Sequence, residues 1–417
     1  MFRPILIALG VGALAASPAA AMSLDQAIAS ALQNDPGLKR AQAERDAAAA
    51  RVQQARAGAL PSVTVSGSAS AGSTDFGPFF DFGRRDLHPS SAQLTLQQPI
   101  FAGGGVTAAI DQAKAGQAGA RSQYENVRLG LIADVAEAYE AARRSDQVIA
   151  LNQAEVEELV LFAEQARRRF SSGDAPRTDA DRAETRLAQA RADLARAEGA
   201  AAQARARFHT LVGQEPEALQ PPMSPPPTPK TIDEAVAQAR ANNPSLQAAR
   251  SAVAAGQAGV RRAEAERLPS VALVAEASSV RDQFLPGYRA DGAVIGIQGR
   301  WAIFSGGLVA GKINEARAAR RGAEAGLDQA RNAVDEAVID AWQMLHTAEA
   351  VAEAAAQQTR AADSALDGVK NEVRVGARPA IDQLDADREA LAAKVAVLQA
   401  EAARLVAAYR LNAVTGR

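Results

Sequence analysis

The sequence predicts a mainly α-helical chain, a duplicated unit of long coiled-coil helical hairpins that also supplies four short strands. Three observations predict it. First, one set of short motifs occurs twice at constant spacing. Asn34-Asp35-Pro36 matches Asn242-Asn243-Pro244, and Leu60-Pro61-Ser62-Val63 matches Leu268-Pro269-Ser270-Val271, both 208 residues on. Ile100-Phe101-Ala102-Gly103-Gly104 matches Ile303-Phe304-Ser305-Gly306-Gly307 at a spacing of 203, and the same spacing relates Gly173 to Gly376 and Asp179 to Asp382. Second, long proline-free stretches carry apolar or small residues at heptad intervals, as at Ile149, Val156, Ala163 and Phe170. Third, hydrophobic residues make up 47% of the chain but aromatics only 4%. Much of the apolar share is Ala, which suits long helices packed at close range better than one large globular core.

In chain order, residues 1–21 read as a secretory signal. Arg3 precedes an apolar stretch from Ile5 to Ala16, and Ala19-Ala20-Ala21 offers a small-residue cleavage site. The first structural repeat covers 22–215. A short helix over about Leu24–Gln33 is closed by Asn34-Asp35-Pro36, and a second runs to Ala59, where Leu60-Pro61 stops it because proline cannot continue the ladder. Strands are expected at about 63–73 and 91–98, where apolar or small residues alternate with polar ones. The loop between them carries Phe76, Phe79, Phe80 and Phe82. A long helix is expected over about 105–171, a break at Gly173–Pro176, and a return helix over about 178–211. The Pro-rich stretch 216–230 reads as an extended connector. The second repeat, 231–417, has strands at about 271–279 and 292–301, a long helix over about 308–374 and a return helix over about 380–412.

Several function classes drop out. With 46 basic and 48 acidic side chains the chain lacks the basic excess of a nucleic-acid binder. No cysteine is present, which removes disulfides, thiolate metal sites, Cys nucleophiles and a lipid-bearing N-terminal Cys. His88, His209 and His346 lie far apart and form no ligand pair, and no Ser/His/Asp set occurs at usable spacing. Neither a cofactor nor an enzymatic activity is expected. Gly306-Gly307-Leu308-Val309-Ala310-Gly311-Lys312-Ile313 mimics a phosphate loop, but Ile313 stands where Ser or Thr should hold Mg²⁺. Glu157-Glu158 and Arg167-Arg168-Arg169 read as solvated helix faces.

Four strands of nine or so residues are long enough to cross a bilayer at a tilt. An open four-stranded sheet cannot sit in lipid, because its edges leave backbone groups unpaired. Such a chain must share a barrel with copies of itself, eight strands in a dimer or twelve in a trimer; strand arithmetic does not choose.

The duplication, the paired Leu-Pro-Ser-Val strand entries and Gln98-Pro99-Ile100-Phe101-Ala102-Gly103-Gly104 resemble the TolC family of outer-membrane efflux and secretion channels. So do Arg169-Phe170 leading to Gly173 and Asp179, and Val375-Gly376-Ala377-Arg378-Pro379-Ala380-Ile381-Asp382-Gln383-Leu384-Asp385. The resemblance covers nearly the whole chain after the signal. It implies a homotrimer in the outer membrane of a Gram-negative bacterium, with a shared 12-stranded barrel and a helical α-barrel reaching into the periplasm. It also implies a passive exit duct, docked through a periplasmic adaptor (membrane fusion) protein onto an inner-membrane pump of RND or ABC type. The loop and strand signatures are closest to members serving type I protein secretion. In this family the aspartates matching Asp382 and Asp385 line the periplasmic constriction, and the arginine matching Arg378 links neighbouring hairpins. Thr178 and Asp179 match residues that receive such links, and the tips at Gly173 and Gly376 match the adaptor contacts. Arg182 replaces the second aspartate in the first repeat, so the two hairpins are not equivalent. A soluble periplasmic coiled-coil scaffold is the alternative.

Overall fold

The computed structural model describes residues 21–75, 77, 83–221 and 224–417. Residues 1–20 of the expected signal and Phe76, Phe79, Phe80 and Phe82 lie outside the described residues. Among the described residues each repeat has four helices of matched length. α1 (Leu24–Asn34) and α5 (Ile232–Asn242) have 11 residues each, and α2 (Pro36–Ala57) and α6 (Pro244–Ala265) have 22. α3 (Gly105–Ser171) and α7 (Leu308–Arg374) have 67, and α4 (Arg177–Val212) and α8 (Ala380–Thr415) have 36. At ~1.5 Å per residue each long helix extends about 100 Å.

The duplicated motifs make duplicated caps. Asp35 and Asn243 each sit before a proline at the first helical position, where a missing N–H costs nothing. The Asp35 carboxylate accepts the Leu38 N–H at 2.6 Å, and the Asn243 side chain accepts the Leu246 N–H at 3.1 Å. At the strand-to-helix corners Gly103 and Gly104 take φ of 57° and 81°, and Gly306 and Gly307 take 59° and 90°. A Cβ at Gly103 would lie 2.7 Å from the Leu268 Cβ and 2.8 Å from the Ala265 carbonyl, so only glycine fits. The phosphate-loop look of Gly306-Gly307 is thus a backbone requirement shared by both copies.

The described residues form two compact units: 21–38, 128–221, 224–238 and 337–417 in one, and 39–75, 77, 83–127 and 239–336 in the other. Each draws segments from both repeats. The core of the first is thin, as the composition implied. Tyr139, Phe208, Val135, Val212 and Leu411 are fully buried, with the Tyr139 and Phe208 rings 6.2 Å apart. Further along, Ala352, Ala355 and Ala400 form one buried cluster, and Ala362, Leu366, Ala390 and Ala393 another. The Tyr139 hydroxyl faces the Met22 and Gln220 carbonyls at 2.8 and 2.6 Å, so one hydrogen is shared between the residues ahead of α1 and the connector. Burial, then the neighbouring Glu140 charge, push this phenol up to about 12.

The second unit holds an antiparallel sheet in the order β1-β4-β5-β6, joining strands of both repeats. These are Ser62–Ala69 (β1), Ser90–Ala102 (β4), Ser270–Arg281 (β5) and Arg289–Arg300 (β6); Gly72–Asp75 (β2) and Arg84–Leu87 (β3) pair separately. The strand expected at 63–73 is therefore two. Its ladder to β4 ends at Ala69–Ser90, after which Ser70 N–H donates to the carbonyl of Pro89, a residue with no N–H to return. The strand expected at 91–98 continues to Ala102 through a register shift between Pro99 and Phe101.

Register sorts the side chains by face. Val65, Leu94, Ala277 and Ala293 are successive cross-strand neighbours, as are Val63, Leu96, Ala275 and Ile295. The other face carries Thr64, Thr95, Glu276 and Val294 on one rung and Ser66, Gln93, Ser278 and Gly292 on another. One face is apolar across all four strands and the other is mostly polar, the pattern of a barrel wall with lipid outside and water inside. Val65 is 75% exposed, and Ile295 and Ile297 are each 72% exposed. Among the described residues no helix is long and apolar enough to cross a membrane.

Candidate functional site at the hairpin tips

Both long hairpins turn with the same backbone motif. Gly173 N–H donates to the Phe170 carbonyl at 3.0 Å and Asp174 N–H to that of Arg169 at 2.8 Å. In the second copy Gly376 N–H donates to Val373 at 3.0 Å and Ala377 N–H to Glu372 at 2.9 Å. The glycines take φ of 82° and 76°, closing each helix with a left-handed residue. Pro176 and Pro379 then open α4 and α8 in extended geometry, with φ near −70° and −63°.

Under the tips lies a cluster of Leu159, Ala163, Ala166, Ala180, Ala183, Leu187, Ala190 and Leu384, with Phe162 and Ile381 packed against it. It brings α8 of the second repeat onto α3 and α4 of the first. The small alanines let these helices approach closely, which sets the distance between the charged residues they carry. Asp179 is partly buried beside a cleft of about 210 Å³ lined also by Phe162, Arg169, Pro379 and Ile381. Thr178, in the first turn of α4, is exposed.

Arg378, Asp382 and Asp385, named from sequence, are paired within the chain. The Arg378 guanidinium lies 2.6 Å from Glu372 at the end of α7 and 4.0 Å from Asp382 in the first turn of α8. It makes no ion pair with Asp179 of its own chain. Asp385, 62% exposed, accepts from Arg186 on α4 at 2.7 Å. Asp382 and Asp385 thus stand on one helix start, each with a guanidinium beside it from a different direction.

Arg186 and Glu372 were not picked out from the sequence, nor was a further knot of charges behind the tips. Lys370 on α7 reaches Asp387 on α8 at 3.0 Å and Glu158 on α3 at 3.8 Å, and Gln383 donates to Asp387 at 3.5 Å. Asp387 is only 7% exposed. Burial, then the Asp387 charge, raise Glu155 and Glu158 above the usual carboxylate range. Burial works against the Lys370 ammonium, but the Asp387 hydrogen bond and the carboxylate field together lift its pKa. Glu158 is therefore not a plainly solvated residue, and Arg167 is engaged too, donating to Glu184 of α4 at 2.7 Å. Their only sequence signal was opposite charge at heptad-compatible positions, which does not say which helix faces which.

The family model for outer membrane efflux proteins matches residues 27–214 and 235–417, one match for each repeat. The outer membrane efflux protein BepC of Brucella suis is 28% identical over 405 residues, covering 95% of this chain and 85% of that protein. Protein CyaE of Bordetella pertussis is 30% identical over 343 residues, covering 80% of this chain and 71% of its own. Among solved structures the CmeC outer membrane channel of Campylobacter jejuni superposes with a TM-score of 0.83 at 17% identity, over 94% of this chain and 85% of that one. That likeness speaks for the fold alone, whereas the paired family match covers most of the sequence. The chain belongs to the outer membrane efflux protein family: it is an exit duct of the Gram-negative outer membrane that reaches into the periplasm.

Proposed function

We propose that the duct works as a homotrimer, three sheets closing one twelve-stranded barrel, with the hairpin tips forming a gated periplasmic entrance. The sheet carries this reading. It has an apolar face across four strands and, among the described residues, two unpaired edges, β1 and β6. Unpaired backbone groups are too costly in hydrocarbon to persist, so each edge needs a partner, and a second copy offers β6 to β1. Two copies supply eight strands and three supply twelve; the family likeness favours three.

At the entrance Asp382 and Asp385 of three copies form two stacked carboxylate rings, and links from Arg378 to Thr178 and Asp179 of adjoining hairpins hold the mouth narrow. Arg186 is the intrachain counter-ion of the Asp385 ring. The Gly173 and Gly376 tips meet a periplasmic adaptor, which joins this passive duct to an inner-membrane pump for efflux or type I secretion. Two measurements test the assembly. Protein extracted from outer membranes should migrate as a heat-modifiable trimer and should open channels of uniform conductance in planar bilayers. A stable, intact monomer recovered from the outer membrane contradicts it.

A further inference from the structure

The apolar face of the sheet does not end in apolar residues. Above the rung Ala277–Ala293 the register places Ser279 opposite Asp291, and above that Arg281 opposite Arg289. These two rungs lie at the end of β5 and β6 away from the helices, and so at the outer surface of the membrane. Below them the apolar rungs continue through Ala275–Ile295 and Leu273–Ile297 to Val271–Gly299. From residue 271 to 277 that band is about 20 Å along the strand, close to the ~25 Å lipid-facing band of outer-membrane barrels.

Like charges directly opposite in a ladder repel, so an Arg–Arg rung needs compensation. Asp291 supplies part of it. Its carboxylate accepts from the Ser279 hydroxyl at 2.7 Å, from Arg281 at 3.2 Å and from Arg289 Nε at 2.9 Å. The nearby Asp282 points its carboxylate into its own turn, accepting the Gly287 N–H at 2.6 Å. One carboxylate therefore orients two guanidiniums and neutralises one. Both arginines keep outward access, with side chains 39% and 66% exposed. The tip beyond them carries Phe284 and Tyr288 edge to face at 5.4 Å, an aromatic pair at headgroup height.

We propose that Arg281 and Arg289, held by Asp291, bind the phosphate groups of the phosphorylated glycolipid of the outer leaflet, lipid A. A guanidinium fork suits a phosphate monoester better than an ammonium does, and two forks on one lipid-facing rung suit a ligand anchored beside the barrel. This rests on reading the sheet as barrel wall.

The test uses the full-length detergent-solubilised protein and native mass spectrometry. Wild type should hold diphosphoryl lipid A at least ~10-fold more tightly than Arg281→Gln/Arg289→Gln does. Arg281→Lys/Arg289→Lys, which keeps the charge but loses the forks, should fall between them. Lipid A stripped of its phosphates should bind wild type and the Gln variant alike. Equal binding of the phosphorylated lipid to both proteins overturns the proposal. So does inorganic phosphate binding as tightly as the lipid, which would make the site one for a free anion. Channel formation is recorded on the same samples. A channel that does not discriminate the lipid sinks only this site, whereas loss of any channel in wild type sinks the barrel reading.

Discussion

Lys370 joins three helices through two carboxylates, and its neighbourhood holds more acid than it can neutralise. Glu155 and Glu158 both have pKa values raised by burial and by the Asp387 charge. A carboxyl whose folded-state pKa is raised contributes stability below its unfolded value, and loses it as pH climbs through the folded value. These glutamates therefore cost stability at neutral pH relative to about pH 4. Glu158→Gln should gain on wild type as pH rises from 4 to 7, moving the difference in Tm by about 1–2 °C, a small amount because Glu158 is partly solvated. Scanning calorimetry at several pH values checks it; a Tm difference that shrinks or stays flat over this range contradicts the assignment. None of this was legible in the sequence, where Glu157-Glu158 looked like solvent-facing charge. Whether such a glutamate meets water or Lys370 depends on which helix lies alongside, and a heptad stripe is silent on that.

Elements were more legible where one period runs long. α3 and α7 repeat their apolar spacing over 67 residues and end at Gly and Pro, so pattern and punctuation agree. Strand limits were less so, because they depend on the partner across the ladder: Pro89 ends β1 from the opposite strand. The sheet's two faces were hidden for the same reason, since Ser-rich strands look merely polar until register gathers Val65, Leu94 and Ala293 on one side. Met22, read only as the first residue of the first repeat, pairs with the connector ahead of α1. Met22 N–H donates to Ala218 at 2.8 Å and Gln220 N–H donates to Met22 at 3.0 Å, over the Tyr139 hydroxyl. Tyr139→Phe removes the hydroxyl from the Gln220 carbonyl and leaves the Met22 carbonyl with the Gln220 N–H alone, and should cost about 0.5–1.5 kcal/mol. Limited proteolysis should then cut the connector over 216–230 faster than in wild type. Unchanged cleavage and unchanged Tm would mean that the strap does not depend on this hydroxyl.

For the whole molecule, the duplication explains why one chain can meet two environments. Each repeat contributes two strands to a sheet with a lipid-compatible face and two long helices ending in a charged tip. The two tips share a backbone but not a charge pattern, because Arg182 stands where the second copy has Asp385, and Arg186 reaches across to that aspartate. On the proposed reading of the tips as the entrance, the second hairpin brings two carboxylates, Asp382 and Asp385, where the first brings Asp179 and Arg182. Carboxylates in a narrow mouth concentrate cations, so their removal should be felt in selectivity before it is felt in fold. The most direct measurement is the cation-to-anion permeability ratio of single channels in planar bilayers, for wild type, Asp382→Ala/Asp385→Ala and Arg186→Ser. Wild type should be cation-selective, the double variant should lose most of that preference while remaining trimeric, and Arg186→Ser should become more cation-selective by freeing Asp385. A double variant that keeps the wild-type ratio would contradict the account and leave Asp382 and Asp385 as ordinary residues of a helix start.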